Sequence, residues 1–317
     1  MESPRTHRRR RARARAWRRS FVCTALAAAV VAGGTATGTV YLRERAHADA
    51  GAVSSASSVT PSASASSSQE ASVEPAAGPS VDRDALLKRA MTSVAVEDTA
   101  HVAVAVLSMD SGESAAYGDG TFDTASIVKV DILAALLLQA QDAGRHLTAQ
   151  EKAYATAMIG NSDNASASAL WTAIGGADGL DSANKRFGLT DTVGGEGTLW
   201  GLTQTTAADQ LTLLRQVFGD DSRLSGASRS YLRGLMGDIA EDQRWGVSAA
   251  ADGSAWALKN GWLARSTTGL WDVNSIGRVT AGGRDFLVAA LSDGNSTKEK
   301  GISVVEAAAR AAVAVFG

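Results

Sequence analysis

The sequence predicts an α/β fold in which helices flank an antiparallel five-stranded sheet, with an all-helical second lobe beside it. Three observations carry this prediction. Two alternating, β-branched segments come early in the folded region, three more come near its end, and the interval between them shows helical periodicity. This order suggests an antiparallel sheet on which the terminal helices pack, with the helical lobe to one side.

The predicted elements follow in order along the chain. The first half is expected to contain a helix, a strand, a turn and a returning strand, at Asp82–Val96, His101–Leu107, Asp110–Gly112 and Glu113–Tyr117. A long apolar helix is predicted over Thr124–Gln141. Further helices are predicted at about 149–159, 164–174, 178–186, 205–217 and 225–236. The chain is then expected to form three strands and a last helix, at Ala255–Lys259, Leu270–Val279, Asp285–Leu291 and Thr297–Val315.

Residues 1–50 combine a basic arm with an export signal or membrane anchor. Nine Arg fall within the first 19 residues, and an uncharged stretch follows over Ser20–Leu42. Ala46-His47-Ala48 supplies a small-x-small cleavage pattern, and Arg18-Arg19 is compatible with twin-arginine export. The alternative is an uncleaved anchor, because about 18 apolar residues can span a bilayer. Both interpretations place the domain outside the cytoplasm, either secreted or membrane-anchored by residues 20–42, with only that segment contacting the membrane.

Residues 51–81 are interpreted as a Ser- and Ala-rich flexible linker, and residues 82–317 as the folded domain. The linker has almost no large apolar side chain, so it cannot bury enough surface to fold. The whole chain has a formal net charge of −2 and the basic arm carries +8, which leaves −10 on the remainder. An acidic domain disfavours nucleic acid as a partner. Cys23 is the only cysteine, so the domain is expected to fold without a disulfide.

The first chemical motif is Ser126-Ile127-Val128-Lys129, at the start of the long predicted helix. A spacing of three places both side chains on one helical face, and Asp123 or Thr124 could cap the helix. Serine needs an adjacent base, and a lysine can serve if burial or a second cation lowers its pKa. The motif alone is weak, because Ser182-Ala183-Asn184-Lys185 repeats it in an ordinary amphipathic helix.

Two further motifs strengthen the interpretation of Ser126 and Lys129 as a catalytic pair. Ser162-Asp163-Asn164 stands between two predicted helices, where by itself it would be read as a helix cap. Lys259-Asn260-Gly261 ends a predicted strand, where by itself it would be read as a turn. All three motifs in this order, on helix, loop and strand, are typical of penicillin-recognising serine enzymes. The region 82–317 therefore resembles class A β-lactamases and related penicillin-interacting serine hydrolases, and the expected fold is serine β-lactamase-like.

This resemblance implies a role for each motif residue. Ser126 would be the nucleophile and Lys129 the base for acylation, while Ser162 would relay a proton to the leaving nitrogen. Lys259 would attract the substrate carboxylate and help to keep Lys129 neutral. The backbone N–H groups of Ser126 and Trp262 would form the oxyanion hole. The residues expected to bind or border the substrate are Asn164, Asn260, Gly261 and Trp262.

Three departures from the family pattern bear on activity. The segment between Lys129 and Ser162 is short for a class A enzyme, so one wall of the cleft is expected to be missing. Asn260 stands where the family has Ser or Thr, although an amide could still donate to a substrate carboxylate. The stretch Thr192–Gln204 lacks Glu-x-x-Leu-Asn, the motif that activates the deacylating water. Glu196 is the only carboxylate between Thr192 and Gln204. It could serve as a deacylation base, but a solvated loop charge is the simpler interpretation.

Other chemistries find little support in the sequence. It contains no His-Glu-x-x-His or paired-Cys pattern, no Gly-x-Ser-x-Gly elbow and no phosphate-binding glycine loop, so neither a metal nor a cofactor is expected. The leading hypothesis is an exported, monomeric serine hydrolase acylated at Ser126. Its substrates would be β-lactams or D-Ala-ending muropeptides, with slow deacylation. The alternative is a non-catalytic envelope protein that uses the same fold to bind muropeptides or a protein partner.

Overall fold

The computed structural model describes residues 81–317, and the predictions made for residues 1–80 lie outside this range. The first strands and helices are α1 (Arg83–Met91), β1 (His101–Ser108), β2 (Ser114–Tyr117), β3 (Phe122–Asp123) and α2 (Val128–Asp142). The helical lobe then contributes α3 (Ala149–Gly160), α4 (Asn164–Ile174), α5 (Gly176–Phe187), β4 (Gln204–Thr205), α6 (Ala207–Phe218) and α7 (Gly226–Gly237). The last elements are β5 (Trp256–Ala264), β6 (Trp271–Ala281), β7 (Arg284–Asn295) and α8 (Lys298–Ala314).

The main sheet confirms the predicted fold class. Its five strands have the order β2-β1-β7-β6-β5, and all neighbours pair antiparallel. The register sets Val104 of β1 opposite Ala290 of β7, and Gly261 of β5 opposite Asn274 of β6. Because β5 has a strand on one side only, its other edge is available to line a cleft.

Two hydrophobic cores lie on opposite faces of this sheet. Ala103 and Ala105 of β1 belong to the core shared with the helical lobe, whereas the alternate residues of β1 pack with α1 and α8. This division follows from the two-residue period of a strand. Helix α2 is buried over most of its circumference, as expected of a helix at the centre of a lobe. Lys129, in the first turn of α2, is therefore held in the protein interior.

The structure corrects several predicted boundaries. Helix α1 ends at Met91 instead of Val96, with Thr92 closing its last turn. Strand β5 continues to Ala264, so Lys259-Asn260-Gly261 lies inside the strand and does not end it. Pairing with β6 over the whole segment overrides the local turn preference of Asn and Gly. The two-residue strands β3 and β4 pair with each other and are too short to show a sequence period.

Within residues 81–317, no helix combines the length and apolar composition needed to cross a bilayer. Over the same range, no three His, Cys, Asp or Glu side chains are grouped so that they could hold a metal ion.

Candidate active site

Ser126 lies on a short 3₁₀ turn, Ala125–Ile127, immediately before α2 begins at Val128. The prediction that Asp123 or Thr124 caps this helix is wrong, because neither the 3₁₀ turn nor α2 has a side-chain cap. Ala125 has φ +47°, a left-handed conformation that costs about 1 to 3 kcal/mol in a residue with a Cβ atom. Ser126 is partly exposed and lines a cleft of about 370 Å³.

Gly261 of strand β5 lies directly against this turn. A Cβ atom at position 261 would stand 2.7 Å from the Ser126 nitrogen and 2.8 Å from the Ile127 nitrogen. These distances are shorter than any normal contact, so only glycine allows the strand to approach the turn that carries Ser126. Gly261 was predicted to bind or border the substrate, but it is not part of the cleft lining, and its observed role is close backbone packing.

Asn274 of strand β6 holds the same turn by hydrogen bonds. Its amide nitrogen donates to the Asp123 carbonyl at 2.9 Å and to the Thr124 carbonyl at 3.2 Å. Its amide oxygen accepts from the Ser292 N–H at 3.1 Å, and its side chain is fully buried. Asn274 was not predicted from the sequence, although a polar residue within an apolar strand pattern was an available signal.

Lys129 points from α2 toward the loop that carries Ser162. Its Nζ donates to the Ser162 carbonyl at 2.7 Å, to Ser162 Oγ at 3.0 Å and to Asn164 Oδ1 at 2.8 Å. Burial lowers the pKa of Lys129 to about 8, while the Asp163 carboxylate acts in the opposite direction. At neutral pH a useful fraction of this amine is therefore unprotonated.

Lys259 approaches the same hydroxyl from β5. Its Nζ donates to Ser162 Oγ at 3.0 Å and to the Asn260 carbonyl at 2.8 Å. Burial, and secondly the charge of Lys129, lower the pKa of Lys259 well below its ordinary value. Ser162 has φ +54°, and the resulting bend brings its hydroxyl to both amines. One serine oxygen thus connects the two lysines of the predicted set.

Asn164 is the first residue of α4, whose N-terminus is capped by the carboxylate of Asp163. Asn164 is exposed and lines the cleft with Ser126, and its Oδ1 is already used by Lys129. Its amide nitrogen makes no hydrogen bond to the rest of residues 81–317. This donor at the cleft is therefore unused within the described residues, and the substrate-binding role of Asn164 stays a prediction.

Asn260 does not face the cleft, which corrects its predicted role. The residue is buried, and its amide nitrogen donates to the Gln243 carbonyl at 2.7 Å and to the Trp245 carbonyl at 2.9 Å. Successive side chains of a strand alternate between its faces, so an inward Lys259 leaves Asn260 on the opposite face. The amide therefore holds the segment before β5 in place, and neither of its N–H groups is free for a substrate carboxylate.

The remaining walls of the cleft are largely apolar. Trp262 lies at the cleft as predicted, with the Lys298 ammonium 4.0 Å from the centre of its ring. The other large apolar residues of the lining are Leu199, Trp200, Leu202 and Leu263. The Trp200 indole lies over Lys129 Nζ at 4.9 Å from the ring centre and was not singled out from the sequence.

Glu196 is exposed and does not line the cleft. Among the described residues its carboxylate has no hydrogen-bonding or ionic partner. Hydrogen bonds on both sides of Glu196 hold the loop around it, including one from Trp171 Nε1 to the Gly197 carbonyl at 2.8 Å and one from the Gly195 N–H to Thr203 Oγ1 at 3.1 Å. The structure thus gives no support to Glu196 as the deacylation base, and the solvated loop charge remains the simpler interpretation.

The chain matches the model of a family described as "Beta-lactamase enzyme family" over residues 138–316. This match includes the regions of Ser162 and Lys259 but begins after Ser126 and Lys129. A search of curated proteins gave no match.

Solved structures share the fold at low sequence identity. A single-residue variant of PBP-A, solved as an acyl-enzyme complex with penicillin G, is 23% identical, with a TM-score of 0.63 over 73% of this chain and 96% of that one. A β-lactamase from Xanthomonas campestris is 20% identical, with a TM-score of 0.59 over 74% and 97%. The extended-spectrum β-lactamase TLA-1 is 15% identical, with a TM-score of 0.64 over 74% and 98%.

Proposed function

The chain belongs to the β-lactamase enzyme family and is a serine hydrolase of that fold, and on this premise we propose which reaction it performs. We infer that Ser126 is acylated by β-lactams or by cell-wall peptides ending in D-Ala, and that the acyl-enzyme is hydrolysed slowly. The observation that carries the proposal is the buried connection of Lys129, Ser162 and Lys259 beside the partly exposed Ser126.

Acylation can be followed proton by proton through this connection. Neutral Lys129 takes the proton of Ser126 Oγ as Oγ forms a bond to the substrate carbonyl carbon. The Lys129 hydrogen bond to Ser162 Oγ gives that proton a route onward, and the Ser162 hydroxyl donates to the leaving nitrogen as the C–N bond breaks. No hydrogen bond joins Ser126 to Lys129 within residues 81–317. Such contacts commonly form only in the substrate complex.

The bound substrate would carry two negative charges, the oxyanion and its carboxylate, and groups of this chain could stabilise both. The Ser126 and Trp262 N–H groups would stabilise the oxyanion, a contribution of about 10²- to 10³-fold per donor. A substrate carboxylate beside Lys259 would raise the pKa of that amine and restore its positive charge. Since the Asn260 amide is turned away, Lys259 would carry carboxylate recognition without the hydroxyl found in the family.

Hydrolysis of the acyl-enzyme lacks comparable machinery. A water must be held and deprotonated near the ester, and a positioned general base contributes about 10²- to 10⁴-fold. The only carboxylate of the 192–204 stretch is the solvent-facing Glu196. Loss of a positioned base raises the barrier by roughly 3 to 5 kcal/mol, so slow turnover is expected. The penicillin G acyl-enzyme of the PBP-A variant shows that this fold can hold such an adduct.

Intact-protein mass spectrometry after mixing with penicillin G tests the proposal. We expect one penicillin to be added per protein, on the peptide that contains Ser126, with an adduct that persists for minutes or longer. A chromogenic cephalosporin should then give a burst near one equivalent followed by a slow linear rate. No adduct at saturating penicillin, combined with measurable muropeptide binding, would replace this proposal by the non-catalytic envelope protein.

We also propose that the domain works outside the cytoplasm, either secreted or anchored by residues 20–42. The support is the basic arm, the uncharged stretch and the Ala46-His47-Ala48 pattern. Residues 1–80 fused to an export-dependent reporter should produce activity outside the cytoplasm. Reporter confined to the cytoplasm would contradict export, and N-terminal sequencing would separate cleavage from anchoring.

A further inference from the structure

Trp200 covers the proposed base from the side of the cleft. Its ring centre lies 4.9 Å from Lys129 Nζ, and the residue lines the cleft together with Ser126 and Asn164. The indole Nε1 donates to Ser168 Oγ on α4 at 3.1 Å, which fixes the orientation of the ring. The ring therefore presents an apolar face to Lys129, and its one polar atom is already bonded elsewhere.

The surroundings of Lys129 Nζ leave little room for water. Ser162 and Asn164 supply three oxygen acceptors, the Trp200 ring lies over the amine, and the side chain has no exposed surface. The same ring stands beside Ser126 in the cleft, where a water would have to approach an ester formed on Oγ. One side chain thus borders both the base and the position of the acyl group.

We propose that Trp200 is a positioning residue that excludes water from Lys129 and from the ester at Ser126, so that it promotes acylation and slows hydrolysis of the acyl-enzyme. This inference rests on the proposed function and deepens it by naming the side chain that sets the lifetime of the adduct. Hydrolysis requires water oxygen to bond to the acyl carbon while the bond from that carbon to Oγ breaks. The water loses a proton to a base, and Oγ regains one.

The effect on acylation acts through the protonation of Lys129. Burial lowers the pKa of Lys129 from 10.5 to about 8, and an opened cleft would let water reach the amine and raise that value. The attraction between an ammonium and the indole face acts in the other direction, but even at a desolvated site it is worth only about 1.5 pKa units. Desolvation is the larger effect, so removal of the ring should leave less neutral amine at pH 7.

The experiment compares Trp200→Ala and Trp200→Phe with the unchanged full-length protein. Acylation by penicillin G is followed by time-resolved mass spectrometry from pH 6 to 10, and adduct decay is followed after excess penicillin is removed. For Trp200→Ala we expect about tenfold slower acylation at pH 7, a pH profile displaced upward by about one unit, and at least tenfold faster adduct decay. Trp200→Phe keeps an apolar ring over the amine and should retain the unchanged rates.

Trp256→Ala is the matched control, because the Trp256 indole lies near Arg244 and outside the cleft lining. It should leave both rates and the pH profile unchanged. If Trp200→Ala does not fold, Trp200→Gln opens the same face to water and carries the same expectations. Slowing of both steps, or no change in either, would overturn the inference. Failure of the unchanged protein to form any adduct would instead overturn the proposed function.

Discussion

The two sides of the cleft differ in how firmly their polar groups are held. On the side of Ser126, Lys129 and Lys259 are both buried and both donate to Ser162 Oγ at 3.0 Å. On the side of the loop 193–203, the single carboxylate is that of Glu196, which is exposed and lacks a partner in the described part of the chain. The first side is organised before substrate arrives, whereas the second offers apolar side chains and solvent.

The two sides also differ in backbone strain and in buried charge, both of which lower the stability of the fold. Ala125 and Ser162 are the only residues other than glycine with positive φ in the described region, and both belong to the first side. Two buried lysines that share one hydroxyl add a further electrostatic cost. Such costs are typical of sites where strain and burial prepare a reaction. The second side shows no comparable backbone strain or buried charge, so only the proposed acylation step has a prepared site.

The largest expected effect is the loss of acylation in Ser126→Ala and in Lys129→Ala. The first variant removes the nucleophile, and the second removes a base expected to contribute about 10²- to 10⁴-fold. Labelling by a fluorescent penicillin is the measurement. The double variant should lose little more than either single one, because nucleophile and base act as a unit.

Ser182→Ala and Lys185→Ala provide matched controls for the same experiment. They repeat the sequence spacing on α5, but both side chains are exposed there. Their labelling should equal that of the unchanged protein. Retained labelling of Ser126→Ala would show that a different serine is acylated.

An intermediate effect is expected for Asn274→Ala. The variant removes both hydrogen bonds that hold the carbonyls of Asp123 and Thr124, and a displaced nucleophile can cost up to about 100-fold in rate. Stopped-flow acylation at several penicillin concentrations should show a rate constant lowered about 10- to 100-fold, with penicillin affinity nearly unchanged.

Asn295→Ala is the matched control for that variant. Asn295 is also a fully buried asparagine of the sheet, and it donates to the Trp271 carbonyl and to Ser292 Oγ. It should lower the melting temperature as Asn274→Ala does, without the loss of acylation rate. Equal rates in the two variants would show that Asn274 stabilises the sheet only.

The smallest expected effect is that of Glu196→Gln. Because this carboxylate faces solvent, its neutralisation should leave both the burst and the slow steady rate with a chromogenic cephalosporin within about twofold. Fast linear turnover in the unchanged protein, lost in Glu196→Gln, would remove the contrast between the two sides and make this a working β-lactamase.

Local patterns predicted much of this molecule correctly. The five-stranded antiparallel sheet, the helical insert and the positions of most helices followed from periodicity. Lys129, Ser162 and Lys259 were brought together as the three motifs implied. The end of β5 was misplaced because pairing with β6 is a non-local interaction that no local turn preference reveals.

The sequence alone determined the fold class and the set of groups that could carry chemistry, because these depend on periodicity and on residue type. Tertiary structure decided how those groups are used. Strand alternation turned Asn260 away from the cleft, β6 brought the buried Asn274 to the turn before α2, and the 193–203 loop laid Trp200 over Lys129. Burial, and hence the lowered pKa of each lysine, depends on neighbours that are distant in sequence.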